Sequence, residues 1–157
     1  KTGSKLRLVK GSVCASCYAL KGNYTRYKAI KAAQYDRLEK IKNSLWVAAM
    51  VVQVKRQKYF RWHDAGDVQD LDHLNKIYSV CRLTPEVKHW MPTREAWIKN
   101  HLASKPANLV IRFSPPMIGQ RNDTWPNFRW LLRLARHAQP RARAASVETV
   151  DNVGILL

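Results

Sequence analysis

The sequence predicts an α/β fold, a partial, barrel-like (βα) parallel sheet flanked by helices. From residue 58 onward, short apolar runs alternate with amphipathic stretches, which is the pattern of successive βαβ units. Three such runs are each followed by a turn, and this succession favours parallel strands joined by right-handed crossovers. At 157 residues the chain is too short for a complete eight-unit barrel, which takes about 250 residues.

The first part of the chain is predicted to form a loop followed by two helices. Residues 1–22 are rich in Gly, Ser and Lys around two cysteines and predict a loop that ends at Gly22. Asn23 is a candidate cap for a helix whose apolar positions continue to Ile41. After Asn43 and Ser44 a second helix runs from Leu45 to Val54. We expect these two helices to supply much of the core.

The βα units follow in order. The predicted strands are residues 59–62, 87–91 and 109–113. Asp70 caps a helix between the first two strands, and Thr84-Pro85 ends it. A short helix from Ala96 to about residue 103 precedes the third strand. We therefore assign residues 1–125 to one α/β domain with an N-terminal Cys-x-x-Cys loop. Residues 126–157 form a basic C-terminal segment, predicted to be helical and then irregular.

The charge of the chain predicts its kind of partner. Lysine and arginine outnumber aspartate and glutamate 28 to 11, and the first 35 residues carry eight basic residues and no acid. Such a balance favours a polyanion, and nucleic acid is the expected partner. A basic but unspecialised surface and another acidic partner are the alternatives. No apolar run is long enough to span a bilayer and no signal peptide is visible, so we expect a cytoplasmic protein without membrane contact.

Polar residues follow each predicted strand, where parallel α/β folds bind their ligands. His63 and Asp64 form a candidate acid–base pair, and the alternative is that Asp64 and Asp67 only shape the turn at Gly66. Arg94 is placed to hold a carboxylate or phosphate, or to pair with a nearby acid such as Glu95. Convergence on one pocket predicts a site formed by His63, Asp64, Asp67, Thr93, Arg94, Glu95 and Ser114.

Cys14 and Cys17 have the spacing of two ligands of one metal ion. A zinc knuckle, a dithiol redox pair and an iron–sulfur cluster all begin with this spacing. Cys81 lies on the apolar face of its helix and is expected to be a buried small hydrophobe. Among the tryptophans, Trp46 and Trp97 fall within apolar helical patterns and predict core packing. Trp62 and Trp90 lie at strand ends and are candidates for lining the pocket.

Several ordered motifs resemble a known family. They are Cys14-Ala15-Ser16-Cys17-Tyr18-Ala19 with residues 20–24, Phe60-Arg61-Trp62-His63-Asp64-Ala65-Gly66-Asp67-Val68, Thr84-Pro85 and Trp90-Met91-Pro92-Thr93-Arg94-Glu95. Together with residues 109–114 they resemble the phage "gene product 88" family over roughly residues 1–120. The family is similar to radical-SAM proteins in its Cys-Tyr-Ala element and its strand–helix order.

This resemblance implies an iron–sulfur cluster and S-adenosylmethionine as cofactors. Cys14 and Cys17 would be metal ligands, Tyr18, Trp62 and Ser114 would contact the cofactor, and His63, Asp64, Asp67, Arg94 and Glu95 would be catalytic. The chain departs from the family in one respect. The family's second, C-terminal cysteine group is absent, since no cysteine follows Cys81. A tail translated in a shifted frame is our hypothesis for that difference.

Three functions follow from these observations. The first is a radical-SAM-like iron–sulfur protein encoded by a phage, either an enzyme directed at nucleic acid or a degenerate form of one. The second is a non-catalytic basic protein that binds nucleic acid, with zinc or no metal at its two cysteines. The third is a structural or host-interaction protein. Whether the chain is an enzyme is left open by the sequence.

Overall fold

The protein is described here by a computed structural model of residues 2–120, so the predicted segment 126–157 lies outside the described residues. None of the helices in this part is long and apolar enough to cross a bilayer. The elements are, in order, α1 (Thr2–Leu6), a 3-10 helix (Tyr18–Leu20), α2 (Asn23–Arg26), α3 (Lys28–Lys40), α4 (Trp46–Val54), β1 (Tyr59–Arg61), α5 (Leu71–Leu83), β2 (Lys88–Thr93), a second 3-10 helix (Ala96–Ser104) and β3 (Leu109–Phe113).

The predicted fold class is confirmed. Three parallel strands form one sheet in the order β1-β2-β3, with Arg61 opposite Trp90 and Trp90 opposite Val110. Within residues 2–120 the sheet stays open and does not close into a barrel. Strands that follow one another across a sheet through crossovers of one hand place the connecting helices on the same face. The two faces of this sheet therefore have different surroundings.

The inner face of the sheet carries the core. Alternate side chains of the strands, including Trp62, His89, Met91 and Leu109, pack against α4 and α5 and are almost fully buried. Helix α5 is amphipathic and begins where the sequence predicts, because the Asp70 carboxylate accepts a hydrogen bond of 2.8 Å from the backbone N–H of His73. The helix ends at Leu83, two residues before Pro85.

The other alternate positions form what we call the outer sheet face: Tyr59, Arg61, Lys88, Trp90, Pro92, Val110 and Arg112. None of these seven residues belongs to the hydrophobic core cluster of the described residues, and Arg61, Lys88 and Arg112 are exposed. Parallel sheets usually have both faces covered by helices, and their strands are then apolar on both sides. The inner face of these strands is mainly apolar, whereas the outer face is mainly basic or aromatic, with Pro92 and Val110 as its apolar members.

The N-terminal third differs from its prediction. Residues predicted as loop contain α1 and a 3-10 helix, and the helix predicted from Asn23 is interrupted at Tyr27, which has extended backbone angles. Gly22, with φ of 58°, precedes α2 in place of the predicted Asn23 cap. Helix α3 contains no buried residue, so the prediction that it supplies the core together with α4 is wrong for α3.

The structure agrees with the predicted positions of Trp46, Trp97 and Cys81 but not with that of Trp62. Trp46 and Cys81 lie in the core, and Trp97 packs partly buried against it, as predicted. Trp62 was a candidate pocket residue, but its exposed fraction is 1% and its ring stacks on His89 at a centroid distance of 5.8 Å. It faces the core because it occupies an inner-face position one residue after β1, where the alternation of the strand continues.

Candidate functional site

Asp67 joins the loop after β1 to the end of β2. One carboxylate oxygen accepts a hydrogen bond of 2.6 Å from the Thr93 hydroxyl, and the other accepts one of 2.7 Å from the backbone N–H of Arg94. The Thr93 hydroxyl in turn accepts from the backbone N–H of Glu95. The carboxyl ends of two strands are therefore fixed to each other, as the parallel arrangement predicts. Asp67 has this positioning role whether or not it also contacts a ligand.

Arg94 extends the connection to the third strand. Its guanidinium donates hydrogen bonds to the backbone carbonyls of Ser114 and Pro115, and the backbone N–H of Ser114 donates to the Thr93 carbonyl at 2.9 Å. Among the described residues Arg94 forms no ion pair, so the predicted alternative of a pair with Glu95 is not observed. Residues after all three strands thus meet at one edge of the sheet.

Glu95 anchors the N-terminal helix over this edge. Its side chain is 5% exposed, and its two oxygens accept hydrogen bonds from the backbone N–H and the hydroxyl of Thr2, at 3.0 and 3.1 Å. The second oxygen also accepts from the indole N–H of Trp97 at 3.2 Å. A buried carboxylate requires such donors, since burial without partners costs several kcal/mol, on the order of 2–7 even for a neutral polar group. Helix α1 is therefore held against the end of β2.

His63 is the residue of this edge whose hydrogen-bonding capacity is not used. Its backbone has φ of 55°, a left-handed conformation that is uncommon for a side-chain-bearing residue. Both ring nitrogens are buried, and neither has a hydrogen-bond partner among the described residues. Burial lowers the pKa of His63, which favours the neutral imidazole, despite the opposing effect of nearby Asp67. A strained, unsatisfied and neutral imidazole matches the requirements of a ligand-binding or acid–base group.

The histidine has a neighbour that the sequence did not single out. The ring of His73, near the start of α5, lies edge-to-face with His63 at a centroid distance of 5.5 Å. His73 accepts a hydrogen bond from the backbone N–H of Gln69 at 3.2 Å, and burial, followed by the charge of His63, lowers its pKa to about 4. The sequence does contain a signal that could have identified His73 as a buried residue. Its spacing from Ile77 places both side chains on the buried face of α5.

Asp64 contacts two tyrosines, although the sequence predicted that it would contact His63. Its carboxylate accepts a hydrogen bond from the Tyr24 hydroxyl and lies 3.9 Å from the Arg61 guanidinium, and its backbone carbonyl accepts from the Tyr18 hydroxyl. The predicted orientation of His63 by Asp64 is therefore not formed. The bond to the Asp64 carboxylate is the largest cause that raises the pKa of Tyr24, to about 12. Tyr24 is a second residue that sequence reasoning missed, because a contact 40 positions away leaves no local pattern.

The Cys-x-x-Cys loop is fastened to the same edge. The backbone N–H of Val13 donates to the Pro116 carbonyl at 3.1 Å, and that of Ile118 donates to the Gly11 carbonyl at 3.0 Å, just beyond β3. Tyr18 ties the other end of the loop to Asp64 beyond β1. Cys14 and Cys17 are both free thiols and partly buried. Two cysteine side chains beside the carboxyl ends of parallel strands are in a suitable place to bind a metal.

The described residues do not complete the ligand set of a three-thiolate cluster. No group of three His, Cys, Asp or Glu side chains within residues 2–120 is arranged to hold a metal ion. Cys81 is fully buried in the core, where burial raises the pKa of its thiol to about 12. Its thiolate is the form that binds metal, and that form is disfavoured there. Cys14 and Cys17 therefore fit two positions of a metal site, and we derive no reaction step through a cluster.

Comparisons with known proteins give one match. Residues 9–146 match the family described as gene product 88, which covers most of the chain and includes the cysteine loop and the ends of all three strands. No curated protein and no solved structure matches the sequence or the fold. The ordered motifs around Cys14, His63 and Arg94 lie inside the matched range. The chain belongs to the gene product 88 family of phage proteins.

Proposed function

We infer that this phage protein binds nucleic acid through its basic surface. The observation that carries the proposal is the first stretch of the chain: every described lysine and arginine between Lys5 and Lys31 is exposed, and the first acid in the sequence is Asp36. Ion pairs with described acids involve only four basic side chains, Lys40, Lys42, Arg61 and Lys76. Exposed cations that form no ion pair with a described acid produce a field that attracts phosphates and releases their counterions.

The excess of positive charge also argues against a purely structural explanation. A formal charge of +17 on 157 residues repels itself and destabilises the compact state, and its favourable use is association with a polyanion. Nucleic acid is a polyanion of high charge density, with about one phosphate per 1.7 Å of duplex. An acidic protein partner is the alternative that the test must exclude.

The test is binding of fluorescently labelled oligonucleotides, single-stranded and duplex, between 50 and 200 mM salt. We expect the association constant to fall about tenfold or more over this range, with a linear dependence of its logarithm on the logarithm of the salt concentration. Polyglutamate of matched charge is the control and should compete poorly. Equal competition by polyglutamate, or no binding at 50 mM salt, would refute nucleic-acid binding as the function.

A metal-dependent function is the second candidate, and the position of the cysteine loop favours it. Cys14 and Cys17 would supply two thiolates, with iron–sulfur or zinc as the alternatives, and the remaining ligands would come from outside the described set. S-adenosylmethionine as a cofactor depends on the iron–sulfur alternative. In that function His63 would be the acid–base group, with Asp67, Arg94 and Glu95 holding the strand ends in place around it.

Metal and sulfide content tests this candidate. The protein is purified without oxygen, and iron, zinc and acid-labile sulfide are measured beside a Cys14→Ala, Cys17→Ala double variant and a Cys81→Ala control. Iron and sulfide lost only in the double variant would support a cluster, and zinc alone would support a zinc site. The absence of stoichiometric metal from the wild-type protein would contradict both.

A further inference from the structure

The outer sheet face is the surface from which a more specific inference follows, and this inference rests on the proposed binding of nucleic acid. Each strand contributes one basic residue to the face, Arg61 on β1, Lys88 on β2 and Arg112 on β3. All three are exposed. Neighbouring strands lie about 4.8 Å apart, so Arg61 and Arg112 are about 10 Å apart across the sheet, and Arg112, opposite Pro92, lies about 7 Å further along the strand direction. The strand residues of this face include no acid.

Aromatic side chains lie between these cations. Trp90, at the centre of β2, is partly buried, and the guanidinium of Arg61 lies over its ring at 5.2 Å from the ring centroid. Tyr59 shares the face on β1, with the Lys58 ammonium 5.7 Å from its ring centroid. An arginine plane supported by an indole is a stacking surface for a nucleobase, and lysines beside it neutralise phosphates.

We propose that the outer sheet face binds single-stranded nucleic acid, with bases stacked on the Arg61–Trp90 pair and phosphates neutralised by Arg61 and Lys88. The solvent-facing side of an open sheet suits splayed, unpaired bases, whereas the edges of paired bases are recessed in the grooves of a duplex. Helices α4 and α5 cover the inner face, so this binding leaves the core unchanged. Among the described ion pairs Arg61 takes part in one, with Asp64 at 3.9 Å, and Asp64 lies beyond the end of the strand.

The experiment compares variants of the full chain on a labelled single-stranded 20-mer by fluorescence anisotropy, across a range of salt concentrations. The first variant is Arg61→Ala, Lys88→Ala. Its matched control is Lys55→Ala, Arg56→Ala, which removes one lysine and one arginine from exposed positions just after α4, outside both the basic stretch of residues 5–31 and the outer sheet face. On single strands each phosphate contact contributes about 0.7 to the magnitude of the slope of log K against log salt concentration. We therefore expect the slope of the first variant to be about 1.4 smaller in magnitude than that of the wild type.

A second variant separates stacking from charge. Trp90→Leu removes the aromatic surface and no charge, so we expect an affinity loss of about tenfold with the salt slope unchanged. Thermal unfolding of each variant confirms that it is folded. The Arg61, Lys88 variant is the principal test if Trp90→Leu unfolds, because both of its substitutions are at exposed positions.

The outcomes distinguish this inference from the function on which it rests. A lower slope and weaker binding in the Arg61, Lys88 variant, with the control close to wild type, would support the outer sheet face as the binding surface. Wild-type binding that both double variants weaken equally would overturn it and leave nucleic-acid binding intact. Stronger binding of duplex than of single strands would also overturn it. Failure of the wild-type chain to bind any oligonucleotide would refute the proposed function itself.

Discussion

Mild acid should destabilise this protein, because burial holds His63 neutral at the strand ends and holds two further histidines neutral in the core. His73 is 3% exposed and His89 is fully buried. The Thr84 hydroxyl donates to the Val80 carbonyl and therefore accepts the Nε2–H of His89 at 2.9 Å, which fixes the neutral tautomer. Burial is the principal cause that lowers the pKa of each of these two core histidines to about 4.

The sign and size of the effect follow from proton linkage. An unfolded histidine titrates near pH 6.5, so below that pH the unfolded state binds more protons than the folded state. The stability that the neutral histidines contribute is therefore complete above about pH 6.5 and is lost as the pH falls toward 4. At pH 5 each of the two core histidines lowers the free energy of unfolding by about 2 kcal/mol, and the pair by about 4. That is a large part of the 5–15 kcal/mol typical of a domain.

Urea denaturation at pH 7 and pH 5, at constant ionic strength, measures this loss. His73→Phe is the matched variant, since it keeps an aromatic ring against Trp46 and removes one titrating group. We expect its loss of stability between the two pH values to be about 2 kcal/mol smaller than that of the wild type. A wild-type loss below about 1 kcal/mol would show that these histidines titrate normally, and the reasoning from burial would be wrong.

Three further substitutions test the packing and the sheet edge by the same denaturation assay. Asp67→Ala should cost about 3 kcal/mol because the Thr93 hydroxyl and the Arg94 N–H lose their acceptor, and a cost below about 1 kcal/mol would contradict that role. Trp62→Ala should cost about 3–5 kcal/mol because it opens a cavity in the core, and a neutral result would place Trp62 outside the core. Gly66→Ala should cost about 1 kcal/mol, since Gly66 has φ of 91°, and an unchanged stability would argue against that conformation.

The sequence predicted the βα part of the fold because its signals are local. The helix of residues 71–83 has a cap, a periodic apolar face and a proline stop within a few positions of one another. The strand of residues 109–113 was predicted with the bounds that the structure has. The second strand continues two residues past its predicted end because Pro92 and Thr93 pair with β3, and that pairing is a tertiary contact.

The sequence predicted where the candidate site lies, but it predicted only some of the contacts that the site residues make. That polar residues after the strands would meet follows from the parallel arrangement, and Asp67, Arg94 and Ser114 do meet. The partner of each side chain did not follow, because the partners come from distant parts of the chain. Glu95 binds Thr2 and Asp64 binds Tyr24, and no spacing or periodicity encodes such contacts.

By itself the sequence determined the fold class, the basic character, the paired cysteines and the resemblance to a phage family, since each depends on composition, short-range order or a motif. Only the tertiary structure decided which face of the sheet is covered, that α3 stays outside the core, and that His63 lies buried beside His73 without a hydrogen-bond partner among the described residues. The physical reason is that burial depends on the packing of elements remote in sequence, whereas strands, caps and turns depend on residues a few positions apart.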